Sequence, residues 1–272
     1  MQALGDGQLL LLGLGHMGQS LLAGWRQKGL ADAQLLIVTP RLREAAAGLV
    51  ADAAQVADIT LAPVTPVPRV VLLAVKPQKL AQLLPLVPEA WRQGSLFITV
   101  AAGKALAFYE QWLGEARLIR AMPNTPVAVG SGMTTLVASA SATTADRALA
   151  QTLLGAVGAT LWLDSEAQMS AATALAGCGP AYLFYLLEVL AEIGTRQGLP
   201  AAQALTLAQE TLLGAAKLAI ESGQSPAALR QGVASPGGVT AAALEVLMQE
   251  DRGLEPLFEE ALAAAIARDR SL

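Results

Sequence analysis

Cysteine and histidine are nearly missing from this chain of 272 residues, which holds one of each, Cys178 and His16. A single cysteine excludes an internal disulfide and any cysteine-based zinc cluster, and a single histidine excludes a histidine-pair metal site, so no metal is expected. The composition fits a reducing compartment, the cytoplasm. Charge is scarce as well, at 15% of residues, with 18 Lys and Arg against 22 Asp and Glu, a net charge of -4 and no basic tract. Nucleic acid is thereby excluded as a partner, because binding a polyanion depends on clustered cations that displace its counterions. Long apolar runs are absent too: mean hydropathy is +0.47, yet no uninterrupted run approaches the roughly 18 residues of a membrane span. Gly177, Gly179, Pro180, Glu188 and Glu192 break the most apolar stretch, so a soluble protein with no membrane partner is expected. No Lys or Arg precedes Arg26, so Leu9-Leu10-Leu11-Leu12 lacks the basic flank of a secretion signal and reads as a strand.

What is abundant is apolar surface. Hydrophobic residues make up 54%, ample to offset the conformational entropy lost on ordering, and the length allows one or two domains with a sizeable core. From Gln8 to Asp164 short apolar runs alternate with helical stretches. Strands are predicted at Gln8 to Leu12, Leu35 to Val38, Arg69 to Val75, Leu96 to Ala101, Leu118 to Ala121, Met133 to Ala138 and Thr160 to Leu163. Several are apolar throughout, as strands of a parallel sheet covered on both faces are, so residues 1–164 read as an α/β domain.

After Asp164 the β-branched runs end, and Ala, Leu, Glu and Gln dominate to Leu272. Breaks at Gly177-Cys178-Gly179-Pro180, Gly198-Leu199-Pro200, Gly223-Gln224-Ser225-Pro226, Ser235-Pro236-Gly237-Gly238 and Gly253 divide residues 165–272 into helices, by Gly stops and Pro at first-turn positions. Tyr182 to Ile193 is apolar on nearly every face, which suits a helix buried all round, either by a second copy of the chain or inside one subunit. No internal repeat is apparent.

Gly13-Leu14-Gly15-His16-Met17-Gly18 matches G-x-G-x-x-G, follows the first predicted strand and opens a helix running toward Lys28. In that setting the first Gly permits a tight turn, the second lets the backbone approach a pyrophosphate, and the third lets helix pack on strand. The anion then meets the N–H groups of the helix start. The second strand ends in Ile37-Val38-Thr39-Pro40-Arg41-Leu42-Arg43, with no acid to hold a ribose 2'-hydroxyl. Thr39, Arg41 and Arg43 instead offer the hydroxyl and guanidinium donors that a 2'-phosphate wants, favouring NADPH, unless the arginines are simply solvated.

Open α/β sheets bind ligands at the carboxyl ends of their strands. Ala74-Val75-Lys76-Pro77-Gln78, Val100-Ala101-Ala102-Gly103 and Arg120-Ala121-Met122-Pro123-Asn124-Thr125-Pro126 place small residues or prolines there. Asn124 offers an amide to a nicotinamide carboxamide, and Lys76 is either a phosphate or substrate cation or a surface lysine paired with an acid. In the helical half, Ser235 reads as an N-cap with Pro236 at the first helical position, but Gly237 and Gly238 lower helix propensity by about 1 kcal/mol each. Such residues suit close approach of a ligand. The N–H groups of Gly238, Val239 and Thr240, with the hydroxyls of Ser235 and Thr240, are candidates to hold a substrate carboxylate, and a plain helix start is the alternative. Cys178 has no nearby cation to lower its pKa and reads as inert, and Tyr182 is either a proton donor or core.

These loops together resemble the pyrroline-5-carboxylate reductase family: Gly13 to Gly18, Ala74 to Gln78, Arg120 to Pro126, Thr173 to Tyr182 and Ser235 to Thr240 occur in that family's order over nearly the whole chain. The resemblance implies NAD(P)H-dependent reduction of 1-pyrroline-5-carboxylate to L-proline. It implies a Rossmann-type domain over residues 1–164 and an all-α substrate-binding and dimerisation domain over residues 165–272. The active site is expected between them, in homodimers able to assemble into decamers. Carried over by position, the carboxylate-binding turn falls on Ser235, Gly237, Gly238, Val239 and Thr240, and the hydroxyl near the ring nitrogen on Thr240. Cofactor contacts fall on Gly13, Gly15, His16, Met17 and Gly18, on Ala74, Val75, Lys76 and Pro77, on Ala101 and on Asn124. The chain departs from the family at Ala176 and Cys178, where serines are common, and at Val239, where threonine is. It also has Leu61-Ala62-Pro63 where many members carry a ribose-contacting Asn.

Hydride transfer to a cyclic imine needs an oriented nicotinamide, an anchored carboxylate and a proton for the nitrogen. Thr240 need only orient an iminium, or relay a proton from water to a neutral imine. A 3-hydroxy-acid dehydrogenase would need a Lys or His base near the interdomain helix, and Asp164 to Leu199 contains neither. Reduction of a six-membered cyclic imine acid such as piperideine carboxylate, and a non-catalytic NADP-sensing dimer, are the remaining alternatives.

Overall fold

The all-apolar Leu9-Leu10-Leu11-Leu12 can be buried on both faces only if helices cover both, and all four side chains are buried. A computed structural model describes residues 4–40, 48–49 and 54–272; Arg41 and Arg43 lie outside them. In chain order the described strands are β1 Leu9–Leu12, β2 Leu35–Val38, β3 Ala54–Val56, β4 Val70–Leu73, β5 Leu96–Thr99, β6 Arg117–Pro123, β7 Gly132–Ala138 and β8 Gly158–Trp162. They form one sheet in the order β3-β2-β1-β4-β5-β6-β7-β8. The described α-helices are α1 His16–Gln27, α2 Pro77–Leu83, α3 Glu89–Gly94, α4 Leu106–Leu113, α5 Thr144–Gly155, α6 Met169–Ala172, α7 Gly179–Arg196, α8 Ala201–Glu221, α9 Pro226–Gly232, α10 Val239–Leu247 and α11 Leu254–Arg270.

Alternation along β1 splits the core into two layers. Leu9 and Leu11 join Leu21, Leu22 and Trp25 of α1 and Leu153 and Leu154 of α5 on one face. Leu10 and Leu12 join Leu80 of α2, Trp91 of α3 and Tyr109 of α4 on the other. The fully buried Trp25 satisfies its indole by donating Nε1–H to Leu153 O at 2.8 Å. Gly24 lies against Val127 O and Val157, so α1 approaches closely only because no Cβ stands between them.

Two features differ from the sequence expectation. β3 was not predicted: its three residues are exposed or half-buried, so no apolar pattern marks them, and it is held by parallel pairing with β2. β6 and β7 pair antiparallel, although β8 returns parallel to β7. Only eight residues, Asn124 to Ser131, join β6 to β7, too few for a parallel crossover.

Contacts divide the chain into two compact units, Met1–Cys178 with Ile266–Leu272, and Gly179–Ala265. The second is all helix, and its interruptions fall at the predicted Gly and Pro positions. Its side chains are barely covered: Ala204, Ala208 and Gly253 are its buried residues. On α7, Leu183, Phe184, Tyr185, Leu186, Leu190 and Ile193 are all exposed, Phe184 by 61%. Of the two covers open to this helix, burial inside one subunit therefore does not hold. The Gly177–Pro180 interruption also does not end the helical path, because Thr173–Gly177 is a π-helical segment leading into α7. The resulting run Glu166–Arg196 is long and apolar enough by composition to cross a membrane, although Glu188 and Glu192 interrupt it, as the sequence shows.

Candidate active site

Strand order reverses at β1, which has β2 on one side and β4 on the other, so the loops after these strands part and leave a crevice. The cleft there has a volume of about 970 Å³, and its lining includes Gly13, Gly15, Thr39, Ala74, Val75 and Lys76. Backbone bonds fix the turn on both sides: Gly13 N–H donates to Val38 O at 2.8 Å, and Ala74 N–H to Leu12 O at 2.8 Å.

The three glycines have three separate surroundings. Gly13 has φ +98°, and a Cβ there would lie 2.7 Å from Val75 Cγ1 and 2.8 Å from Ala74 O. A Cβ on Gly18 would lie 2.8 Å from Gly13 O, so α1 packs directly on the turn. A Cβ on Gly15 would meet nothing nearer than Ala74 O at 4.0 Å and would fill space in the cleft that Gly15 lines. Gly15 is also the N-cap of α1, with no side-chain cap and no acidic residue in the first turn. A helix start leaves N–H groups without intrahelical partners and favours an anion. These residues fit the pyrophosphate of a dinucleotide.

The cleft also contains Asp58, Lys79 and Gln82, none of them singled out in the sequence. Lys76 is the N-cap of α2 and Pro77 its first residue. Lys79 lies one turn on from Lys76, a spacing that could have identified it. Neither lysine forms an ion pair among the described residues, which leaves their charge for a ligand. Asp58 carried no signal, because it follows the unpredicted β3. Its carboxylate accepts hydrogen bonds from Thr60 N and Oγ1, both at 2.9 Å, and these hold its pKa below the ordinary value.

His16, Met17 and Gly18 form the first turn of α1 and do not line the cleft, nor do Ala101 and Asn124 at the ends of β5 and β6. Ala101 is buried, and its N–H donates to Thr99 Oγ1 at 3.4 Å. Thr99 Oγ1 lies 2.6 Å from the Tyr109 hydroxyl. Burial pushes the Tyr109 phenol up to about 12, against the opposing pull of the Thr99 hydrogen bond and the Arg120 charge. Asn124 is engaged at both ends: Oδ1 accepts from Met133 N at 2.8 Å, and Nδ2 donates to Ala176 O at 3.0 Å. It ties β6 to β7 and to the π-helical segment, and an amide has one further N–H to offer a ligand. Cys178 is a free, half-buried thiol.

In the helical unit the predicted cap shifts. α10 begins at Val239 with Gly238 as N-cap, three residues after the expected Ser235. Gly237 adopts φ +70°, and Gly238 N–H donates to Ser235 O at 2.9 Å. Two successive glycines disfavour helix and close a turn instead. That bond occupies the Gly238 N–H, so the donors presented by the helix start are those of Val239 and Thr240, both exposed. Tyr182 packs its ring edge-on to Phe258 at 6.3 Å.

Residues 166–272 match a family model described as pyrroline-5-carboxylate reductase dimerisation, and residues 8–103 one described as NADP oxidoreductase, coenzyme F420-dependent. The chain is 38% identical over 266 residues to pyrroline-5-carboxylate reductase of Pseudomonas aeruginosa, spanning 97% of this chain and 96% of that one. It is 33% identical to the pyrroline-5-carboxylate reductase of Coxiella burnetii, whose solved structure matches with a TM-score of 0.85 over 98% of each chain. The pyrroline carboxylate reductase of Plasmodium falciparum, solved with NADP bound, shares the fold at a TM-score of 0.87 and 24% identity over 98% of each chain.

Proposed function

The chain belongs to the pyrroline-5-carboxylate reductase family, an oligomeric enzyme that uses NAD(P)H to reduce 1-pyrroline-5-carboxylate to L-proline, and from that premise we propose how its own residues do so. Residues 1–164 bind the cofactor, and residues 165–272 bind substrate and dimerise. The observation that carries the assignment is the cleft beside Gly13, Gly15 and Ala74, where a missing side chain leaves space at the uncapped start of α1. His16, Met17 and Gly18 contribute that helix start, and Val75, Lys76 and Pro77 the opposite lip. The unpaired Lys76 and Lys79, with Thr39 and Arg41, favour the extra phosphate of NADPH over NADH. Asp58 opposes it by like charge.

Ala101 and Asn124 stand at strand ends where the nicotinamide belongs. When bound, NAD(P)H supplies the hydride that reduces the C=N bond. Val239 and Thr240 N–H groups and the Ser235 hydroxyl hold the substrate carboxylate, with Gly237 and Gly238 leaving room for it. The Thr240 hydroxyl orients the ring nitrogen. Holding the ring in one pose converts an encounter into a near-unimolecular step, and no side-chain base is needed. The exposed apolar helices of Gly179–Ala265 are covered by a second copy in a homodimer. Glu188, Glu192 and Arg196 on α7 oppose burial in lipid, and a lone cysteine suits the cytoplasm.

Purified protein is expected to oxidise NADPH with 1-pyrroline-5-carboxylate, faster than NADH and faster than with the six-membered analogue. Thr240→Ala should lower kcat by about tenfold or more while leaving the KM for NADPH unchanged. Unchanged turnover in that variant removes Thr240 from the reaction.

A further inference from the structure

The loop Val100–Ala105 follows β5, carries Ala101 and ends at Leu106, the first residue of α4. Loops at strand ends carry function when a rigid frame holds them, and this loop is fastened at its start by buried polar groups near it in sequence and at its end by a half-buried carboxylate 60 residues away. At its start, Thr99 Oγ1 bonds the Tyr109 hydroxyl at 2.6 Å and accepts from Ala101 N–H. At its end, Glu166 Oε1 accepts from Leu106 N–H at 2.8 Å.

The same oxygen accepts from Arg120 Nη1, also at 2.8 Å. The Arg120 side chain is 6% exposed and that of Glu166 28%. Arg120 Nε is buried without a partner, and among the described residues Glu166 is the acceptor found for this guanidinium. A buried charge of this kind is tolerated only with its counter-charge in place. Glu166 is set by its own short helix, where Gln168 Oε1 accepts from Ser165 N–H at 3.3 Å and from Asp164 N–H at 3.0 Å.

We propose that Arg120 and Glu166 are positioning residues for the cofactor: Arg120 fixes the Glu166 carboxylate, which holds Leu106 N–H and with it the Val100–Ala105 loop at the nicotinamide end of the site. The proposal rests on the assignment of Ala101 to the cofactor surface. A carboxylate serving only the stability of β6 would lower the amount of folded enzyme, whereas one that places the loop changes how the folded enzyme meets NADPH.

The test is hydrogen exchange of the peptide covering residues 100–106 in the full-length enzyme, with and without NADPH, alongside steady-state kinetics on Glu166→Ala and Glu166→Gln. In the wild type, NADPH is expected to slow exchange of this peptide. Glu166→Ala should speed its exchange without NADPH and raise the KM for NADPH about tenfold, with a smaller change in kcat per folded enzyme. Glu166→Gln keeps an acceptor oxygen for both donors and should recover most of the difference. If NADPH protects the peptide but neither variant moves its exchange or the KM, the positioning role is wrong and the loop's place at the cofactor stands. If NADPH gives no protection in active wild-type enzyme, the assignment of Ala101 fails and the proposal falls with it. If Glu166→Ala does not fold, Glu166→Asp takes its place, because its carboxylate is one methylene too short to reach both Leu106 N–H and Arg120, and an unchanged exchange rate and KM in that variant overturn the proposal.

Discussion

At the scale of single residues, the polar groups beneath the β5 loop combine burial with complementary charge. Tyr109 is fully buried, and its phenol is pushed up to about 12 from the ordinary 10.0 chiefly by burial. Because the folded-state value is the higher one, the unfolded chain loses this proton first. The stability tied to the neutral phenol is present in full below pH 10.0 and is lost as pH rises toward about 12, at a rate of about 1.4 kcal/mol per pH unit. Tyr109→Phe should cost about 1 kcal/mol at neutral pH, from the lost bond to Thr99. It should also remove this alkaline decline, so that urea unfolding curves of the two proteins converge above pH 10.0. Curves that stay parallel would show that the phenol does not titrate within the fold. None of this was legible locally: Arg120 and Glu166 are 46 residues apart, and Leu106 and Glu166 are 60 apart.

Among the elements, the most informative is α10, whose start came three residues later than the Ser-Pro pattern predicts. Ser and Pro at a potential helix start are a strong local signal, but Gly237 at φ +70° takes the chain through a conformation that other residues resist. Gly237→Ala should strain the turn by about 1–2 kcal/mol. The thermal midpoint should therefore fall by a few degrees, and because the turn is exposed the expected functional effect is a higher KM for 1-pyrroline-5-carboxylate. A lowered midpoint with unchanged KM would show that the turn serves the fold and not the carboxylate. The strands were easier to read. β1, β2, β4 and β5 are buried along their whole length, and continuous apolar runs report that directly. β3 has no such pattern, and with it Asp58 escaped notice although it lines the cleft.

For the molecule as a whole, the decisive quantity is the apolar surface left outside. A unit of helices whose buried residues are Ala204, Ala208 and Gly253 has no leucine core of its own. Burying one large apolar side chain contributes about 1.5–3 kcal/mol, and six such side chains on α7 alone are exposed in the single chain. Stability should therefore depend on association, and the thermal midpoint should rise with protein concentration. A midpoint constant over about a hundredfold dilution, at concentrations where sedimentation shows dissociation, would mean that one chain holds these helices unaided. The sequence raised both possibilities for the helix from Tyr182 to Ile193, because an all-apolar helix looks alike whether its own chain or another covers it.

Composition and pattern by themselves determined the α/β and all-α halves, the parallel apolar strands and the glycine turn. Each is a property of neighbouring residues: period, chirality at glycine, and the need to cover a strand on both faces. The tertiary structure alone decided which side chains share the cleft, that Lys76 and Lys79 form no ion pair among the described residues, and that Arg120, Glu166 and Leu106 meet beneath one loop. It also decided that the C-terminal helices stay uncovered. Those outcomes depend on distances between residues remote along the chain, and no local rule of propensity or spacing encodes such distances.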